Sequence, residues 1–441
     1  MTASIVLQFI VVLAAIWMGA RYSGVGLGLW GAVGLLVLVV AFGVNPTSPP
    51  IDVMLIILAV IMAASVMDAA GGIDFLVRIA ERIIRANPKY VTIVAPLTTW
   101  SFTFLAGTGH IVYPLLTVIY ETAHQSGIRP ERPMAVATIA SQQAITASPV
   151  AAATAAMIGL FAEKGVSQWG LPQILMICVP ATLMGVIVAA IVSMFVGKDL
   201  KDDPEYQKRL AAGQIPTPKA PGERPPLKPT AKLSAFVFLT GVALVVLFGF
   251  FPALRTLPDA KDPLAMPIVI EIVMMSVAAI MLLATRVAVD EVSKTPTLRA
   301  GVVAVIGIFG LAWLGDSFIS ANKNVIVPAI GQWAETAPWT FAFGLFFASV
   351  LLYSQAATTR AIMPLGMALG IPPQFLIAMF PSVNGYFFIP TYGSLIAAIN
   401  FDLSGTTKIG KYVLNHSFMI PGLVATAVAV ITGLFLARIM F

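Results

Sequence analysis

The stretch Thr103-Phe104-Leu105-Ala106-Gly107-Thr108-Gly109-His110 cuts an otherwise apolar segment in two, and Leu352-Tyr353-Ser354-Gln355-Ala356-Ala357-Thr358-Thr359 does the same in the second half of the chain. Further along each half a second polar break interrupts another apolar run: Thr146-Ala147-Ser148-Pro149, then Pro390-Thr391-Tyr392-Gly393-Ser394. Backbone that leaves its helix at membrane depth must be buried in protein or line a watery cavity, because hydrocarbon offers it no hydrogen-bond partner. Paired interruptions at corresponding places in two halves mark the substrate site of a secondary transporter. The breaks predict an all-α polytopic membrane protein with such a site where they meet.

Composition agrees. Of 441 residues, 59% are hydrophobic and 10% charged, with a mean hydropathy of +0.92; a soluble domain carries roughly 25% charged residues. The apolar run 5–20 has no Lys or Arg before it, so it is expected to be a retained first span rather than a cleaved leader. Cys178 is the only cysteine, which excludes an intrachain disulfide and a Cys-based metal site. No metal and no cofactor are expected. The net charge of +6 is read as Lys and Arg retained in cytoplasmic loops, not as a nucleic-acid surface.

A spanning helix needs about 20 mostly apolar residues. On that measure spans are expected near 4–20, 24–44, 51–70, 133–161, 171–197, 233–252, 267–285, 301–320, 374–400 and 413–437. The segments near 90–123 and 339–370 could span and return, but their centres are broken, which predicts re-entrant hairpins with tips at 107–110 and 354–359. The arrangement leaves only Lys164, Arg255, Lys261, Lys323 and Arg438 on one face and Arg360 within the membrane; the rest of the 26 Lys and Arg fall on the other face. The positive-inside rule then puts both termini outside the cytoplasm. Residues 198–232, charged and rich in proline, are expected to form a solvated cytoplasmic connector between a first repeat (1–197) and a second (233–441). Each repeat holds a hairpin and a broken span (133–161, 374–400). Each is also expected to carry an amphipathic stretch, 74–86 and 316–336, ending at Pro88 or Pro338. The hairpins enter from opposite faces, so the repeats are inverted.

Broken helices expose N–H groups at a positive dipole end, where a carboxylate can be held without a full buried cation. The breaks supply Thr108, Thr146, Ser148, Ser354, Gln355, Thr358, Thr359 and Thr391, with Gly107, Gly109 and Gly393 allowing close approach and His110 at the first tip. Two facing sets of such groups suit a small molecule with an acid at each end. Arg360 is the basic side chain inside an apolar segment: a bidentate carboxylate ligand or the partner of an acid. Asp68 and Asp316 are assigned helix-end or ion-pair roles, Glu271 is a candidate proton site, and His416 a polar partner. No His-Glu-x-x-His or Cys/His cluster supports an enzyme. Gly405-Thr406-Thr407-Lys408-Ile409-Gly410-Lys411-Tyr412 mimics a phosphate loop but ends in Tyr and has no strand before it.

The glycines of Gly24-Val25-Gly26-Leu27-Gly28, then Arg85-Ala86-Asn87-Pro88-Lys89-Tyr90, Gly107-Thr108-Gly109, Arg129-Pro130-Glu131-Arg132-Pro133, Ala147-Ser148-Pro149, Tyr353-Ser354-Gln355-Ala356-Ala357, Pro390-Thr391-Tyr392 and Ser404-Gly405-Thr406-Thr407 resemble the anaerobic C4-dicarboxylate (Dcu) transporter family, with Trp313-Leu314-Gly315-Asp316 closest to its A-type members. The resemblance implies a bacterial inner-membrane carrier of fumarate, L-malate, L-aspartate and succinate, commonly an antiporter. It also implies a homodimer of the ion-transporter superfamily moving as an elevator. Some B-type members carry an acid where this chain has Leu395, which weighs against a role with a sensor kinase. The rival readings are symport coupled to Na⁺ or H⁺, a channel, or a transport-linked sensor.

Overall fold

Gly43 and Gly107, at φ +65° and +69° in the left-handed region, each end a helix. The computed structural model describes residues 3–22, 24–166, 168–215, 226–258, 260, 262–352, 354–412 and 414–441, without the side chains of Ala20 and of 326–336. In the first half run α1 (Ala3–Tyr22), α2 (Gly26–Phe42), α3 (Ile51–Ala69), α4 (Gly72–Ala86), α5 (Val91–Ala106), α6 (Val112–Gln125), α7 (Glu131–Gln143), α8 (Ala152–Glu163) and α9 (Leu171–Ser193); the connector holds α10 (Pro204–Ala211). The second half runs α11 (Ala231–Phe250), α12 (Met266–Thr285), α13 (Val289–Ser293), α14 (Pro296–Gly307), α15 (Trp313–Thr336), α16 (Phe341–Leu352), α17 (Gln355–Ala368), α18 (Pro373–Met379), α19 (Gly393–Phe401) and α20 (Met419–Met440). Among the described residues the one β-feature is an isolated bridge, Ile409 to His416, in the loop that mimics a phosphate cradle. The fold is all-α.

The helix-forming segments at Ile51–Ala69, Leu171–Ser193, Ala231–Phe250, Met266–Thr285, Pro296–Val325 and Met419–Met440 are long and apolar enough to cross a membrane. α1 and α2 contain shorter apolar runs. The segments expected at 133–161 and 374–400 are each in two pieces: α7 and α8 around a 3-10 turn at Ala144–Thr146, and α18 and α19 around a 3-10 stretch at Phe380–Phe387. The broken segment near 90–123 is α5 and α6, and that near 339–370 is α16 and α17. Their arms are 16 and 14 residues, then 12 and 14. At 1.5 Å per residue, each arm is shorter than a hydrocarbon core of about 30 Å.

Contacts in one half have counterparts in the other. α5 lies against α7, and α16 against the 3-10 stretch; α6 lies against α19, and α17 against α8; α1 pairs with α2, and α11 with α12. α12 lies along α3, and α2 along α14 and the turn that follows it, while α9 and α20 pack side by side. The exchange of α6 and α17 onto the opposite half's broken helix brings all four breaks together.

Two expectations are corrected. The second half has no separate amphipathic stretch at 316–336. In the first half Gly71, at φ +84°, turns the chain between α3 and α4; in the second, α14 runs into α15 through a π-turn at Ile308–Ala312 without leaving the helix. Nor is the connector simply solvated. Its residues 198–215 dock by ion pairs from Arg129 to Asp203, from Arg132 to Asp199 and from Lys408 to Glu205. His124 meets the Tyr206 hydroxyl at 2.8 Å, and Arg209 donates to the Ser404 carbonyl. Leu200, Tyr206 and Ile215 form a small apolar cluster of their own, so the segment has both the charge and the apolar area to fold down. Pro216, Pro218, Pro221 and Pro225 of the connector, Lys261, and Tyr353 of the second tip lie outside the described residues.

α2 and the π-turn touch backbone to backbone. A Cβ on Gly310 would sit 1.7 Å from the Gly28 carbonyl oxygen, and one on Gly28 would sit 1.9 Å from the Ile306 oxygen. Gly310→Ala is therefore expected to cost at least the ~1–3 kcal/mol typical of overpacking, read as a lower melting temperature in detergent. Gly315→Ala, whose Cβ would meet nothing nearer than 3.5 Å, is expected to leave it unchanged.

Asp203 gives a second test. Partial burial pushes its carboxyl up, but hydrogen bonds and charge from Arg129, with the backbone N–H groups of Tyr206 and Glu205, outweigh this and hold it below the ordinary value. A depressed carboxyl stabilises the docked form above the ordinary Asp value of about 3.9 and loses that contribution as pH falls through the depressed one. Limited proteolysis across α10 is expected to accelerate only on acidification below about pH 4, with neutral and mildly acidic samples equally protected.

Candidate functional site

Four helix N-termini are built by the breaks. At the first tip Gly107, at φ +69°, ends α5. Thr108 is extended, and its hydroxyl accepts from the His110 N–H at 3.3 Å, capping the short turn that leads into α6. At the second tip the Ser354 hydroxyl accepts from the Ala357 N–H at 3.2 Å and caps α17. α8 starts after an extended Ala151 and α19 after an extended Tyr392. All four starts border one cavity of 890 Å³, through Gly109 and His110, Ala152 and Ala153, Ser354 to Ala357, and Thr391 to Gly393. Further lining is supplied by Gly24 and Leu27, by Val60, Ile61 and Ala64 of α3, and by α14 from Pro296 to Gly307. Helix starts carry unpaired N–H groups and a positive partial charge, so the lining is electropositive where the four starts border it.

A buried amide network holds the breaks in place. Gln355 donates to the Gln142 side-chain oxygen at 2.9 Å and to Asn384 at 3.2 Å. Asn384 donates to Gln143 at 3.3 Å, and Gln143 to the Thr426 hydroxyl of α20 at 2.9 Å. Asn384 sits where the 3-10 stretch kinks. The network ties α7, α17, the second broken helix and α20 into one unit. A Cβ on Gly109 would lie 2.4 Å from Gln142 Nε2, so the first tip needs glycine there to rest on the same amide.

Among the residues singled out in the sequence, Gly107, Thr108, Gly109, His110, Ser354, Gln355 and Thr391 border the cavity, and Thr146, Ser148, Thr358 and Arg360 do not. Thr146 donates to the Gln143 carbonyl at 2.9 Å, Ser148 to the Phe104 carbonyl at 2.7 Å and Thr358 to the Ser354 carbonyl at 2.8 Å. These hydroxyls are therefore spent on backbone carbonyls; the Ser354 carbonyl also accepts from the Thr358 N–H at 2.9 Å. Arg360 is 1% exposed and pairs with Glu163 at 3.0 Å and Asp316 at 3.2 Å; in this arrangement the acids, not the cavity, occupy its guanidinium. Asp68 accepts from Thr297 at 2.7 Å. His416 holds the Phe418 N–H at 3.2 Å in the loop before α20, so α20 starts later than the expected 413. Glu271 is half-buried on α12.

The sequence reading missed Gln142, Gln143, Asn384, Tyr113, Tyr392 and Arg299. The adjacent glutamines and the asparagine were findable as amides in apolar surroundings next to a break. Tyr113 stacks on His110 with ring centres 5.8 Å apart, and Tyr392 lies 4.8 Å from Tyr386; nothing in the local sequence separates them from packing aromatics. Arg299 reads as one loop cation among many.

Membrane-length helices around an anion-ready cavity made of broken helices define a multi-pass membrane transporter, not an enzyme. The chain belongs to the anaerobic C4-dicarboxylate membrane transporter family, whose model matches residues 4–441. It is 41% identical over 442 residues to the C4-dicarboxylate transporter DcuA of Wolinella succinogenes, covering 99% of this chain and 100% of that one. It is 42% identical to DcuA of Escherichia coli K12, at 99% and 100% coverage, and 38% identical to the anaerobic C4-dicarboxylate transporter DcuB of Escherichia coli O6:H1, at 97% of each. Its fold is like that of the Alcanivorax borkumensis YdaH transporter, with a TM-score of 0.52 at 14% identity, over 100% of this chain and 98% of that one.

Arg360 offers a test of the support beneath the site. Removing one member of a buried ion pair costs about 3–5 kcal/mol. Asp316→Asn should lower the melting temperature more than Glu163→Gln, since the Asp316 side chain is 10% exposed and that of Glu163 26%. Equal shifts would contradict the stated geometry.

Proposed function

We propose that the chain exchanges four-carbon dicarboxylates (fumarate, L-malate, L-aspartate and succinate) across a bacterial inner membrane, with both termini periplasmic. The observation that carries this reading is the convergence of four helix starts on one cavity. A carboxylate entering it finds free N–H groups at Gly109, at α17 and at α19, hydroxyls of Thr108, Ser354 and Thr391, and the amide nitrogen of Gln142, which Gln355 holds by its oxygen. Emptied, these converging donors lose the anion that satisfies them, and moving them unfilled through the apolar barrier is costly, so the carrier returns when refilled. That favours exchange.

In this reading the paired arms α5–α6 and α16–α17 are re-entrant hairpins of two inverted repeats. Hairpins and broken helices move together as an elevator along the wall formed by α2, α3 and α14, within a homodimer. Thr146, Ser148 and Thr358 keep the breaks open from behind, and Arg360 anchors α17 to α8 and α15.

The test is succinate counterflow in liposomes. Uptake is expected only when the lumen holds a dicarboxylate; uptake driven by a Na⁺ or H⁺ gradient into empty liposomes would replace exchange with symport. Thr108→Val and Thr391→Val are expected to reduce counterflow at least about tenfold, the loss of one hydrogen bond to a charged group, with melting temperatures unchanged. Wild-type rates in both variants would reject the assignment.

A further inference from the structure

Arg299 is the one side chain of fixed charge bordering the cavity among the described residues. It stands in the first turn of α14, among the lining residues that lie outside the four helix starts. Its placement runs against local electrostatics, because a cation near a helix N-terminus meets the positive end of the dipole. It is exposed, and among the described residues no carboxylate pairs with it. The Asp68 carboxylate accepts from Thr297, two residues earlier on the same turn, and forms no ion pair with Arg299 among the described residues. A guanidinium kept at the cavity with its donors unspent is a ready fork for a carboxylate.

The helix starts and Arg299 differ in kind. The former are dipoles set into the protein and weakly screened; the latter is a full charge in contact with water and strongly screened. We infer that Arg299 receives the second carboxylate of the substrate and so sets the preference for doubly over singly charged molecules. This rests on the dicarboxylate reading above. One acid end sits at the broken helices, the other reaches across the cavity to α14. A molecule with a single carboxylate fills the first place and leaves Arg299 hydrated.

The experiment uses the full chain in liposomes and compares inhibition of labelled-succinate counterflow by succinate and by monomethyl succinate, which has the same backbone and one charge fewer. In Arg299→Gln, inhibition by succinate should weaken roughly 10- to 100-fold, inhibition by monomethyl succinate should hold, and the maximal rate should persist. Arg299→Lys should recover part of the loss, because a point charge lacks the bidentate fork. An unchanged ratio between the two inhibitors, or an equal loss for both, would overturn the inference. The unmodified protein provides a measurement free of folding effects: its preference for succinate should shrink as salt rises, and a salt-independent preference would also overturn it. Should wild-type protein fail to exchange any dicarboxylate, the proposed function falls. Should it exchange them while Arg299→Gln keeps the preference, only the role of Arg299 falls.

Discussion

Backbone polarity that lipid cannot satisfy is the constraint on which this structure turns. Four interruptions free N–H and carbonyl groups inside apolar segments, and the molecule deals with the two ends of each break differently. Carbonyls are met by neighbouring hydroxyls: Ser148 reaches back to Phe104, Thr358 to Ser354 and Thr146 to Gln143. N–H groups at the helix starts are turned toward a shared cavity instead. The side facing protein is closed and the side facing the cavity is left open to a guest.

That division depends on packing far from the cavity. The amide chain from Gln355 through Asn384 and Gln143 to Thr426 fixes the breaks to α20. The triad of Arg360, Glu163 and Asp316 fixes α17 to α8 and α15. Both are polar devices buried in an apolar body, where each is secure only while all its members remain. Elsewhere α2 meets the π-turn by close backbone contact at glycines, without a polar side-chain network.

Much of this could be read from the chain. Gly107-Thr108-Gly109 and Ser354-Gln355 announce the tips because glycine and extended Ser or Thr inside apolar segments have few other uses. The 3-10 turn at Ala144–Thr146 adjoins the break expected at Thr146 to Pro149, whereas the 3-10 stretch at Phe380–Phe387 precedes the break expected at Pro390 and carries no such signal. What could not be read depended on long-range placement. Thr146, Ser148 and Thr358 looked like ligands because hydroxyl chemistry is the same whether it faces a guest or a carbonyl; only the fold separates the two. The role of Arg360 depended on Glu163, far away in sequence. The docking of α10 depended on Arg129 and Lys408, which charge patterning alone scored as loop cations. The uninterrupted passage of α14 into α15 escaped because a π-turn leaves no proline or glycine signal beyond a local excess of one residue.

That excess residue has a structural consequence. An α-helix advances about 100° per residue, so the widened turn at Ile308–Ala312 resets the angular phase of everything after it. Gly310, within the turn, faces α2, and Asp316, six residues later, faces Arg360. Deleting a single residue there would restore regular winding and swing the Asp316 carboxylate away from its guanidinium. Apart from Gly310, positions 308–312 should therefore tolerate substitution far better than any change in the length of the turn.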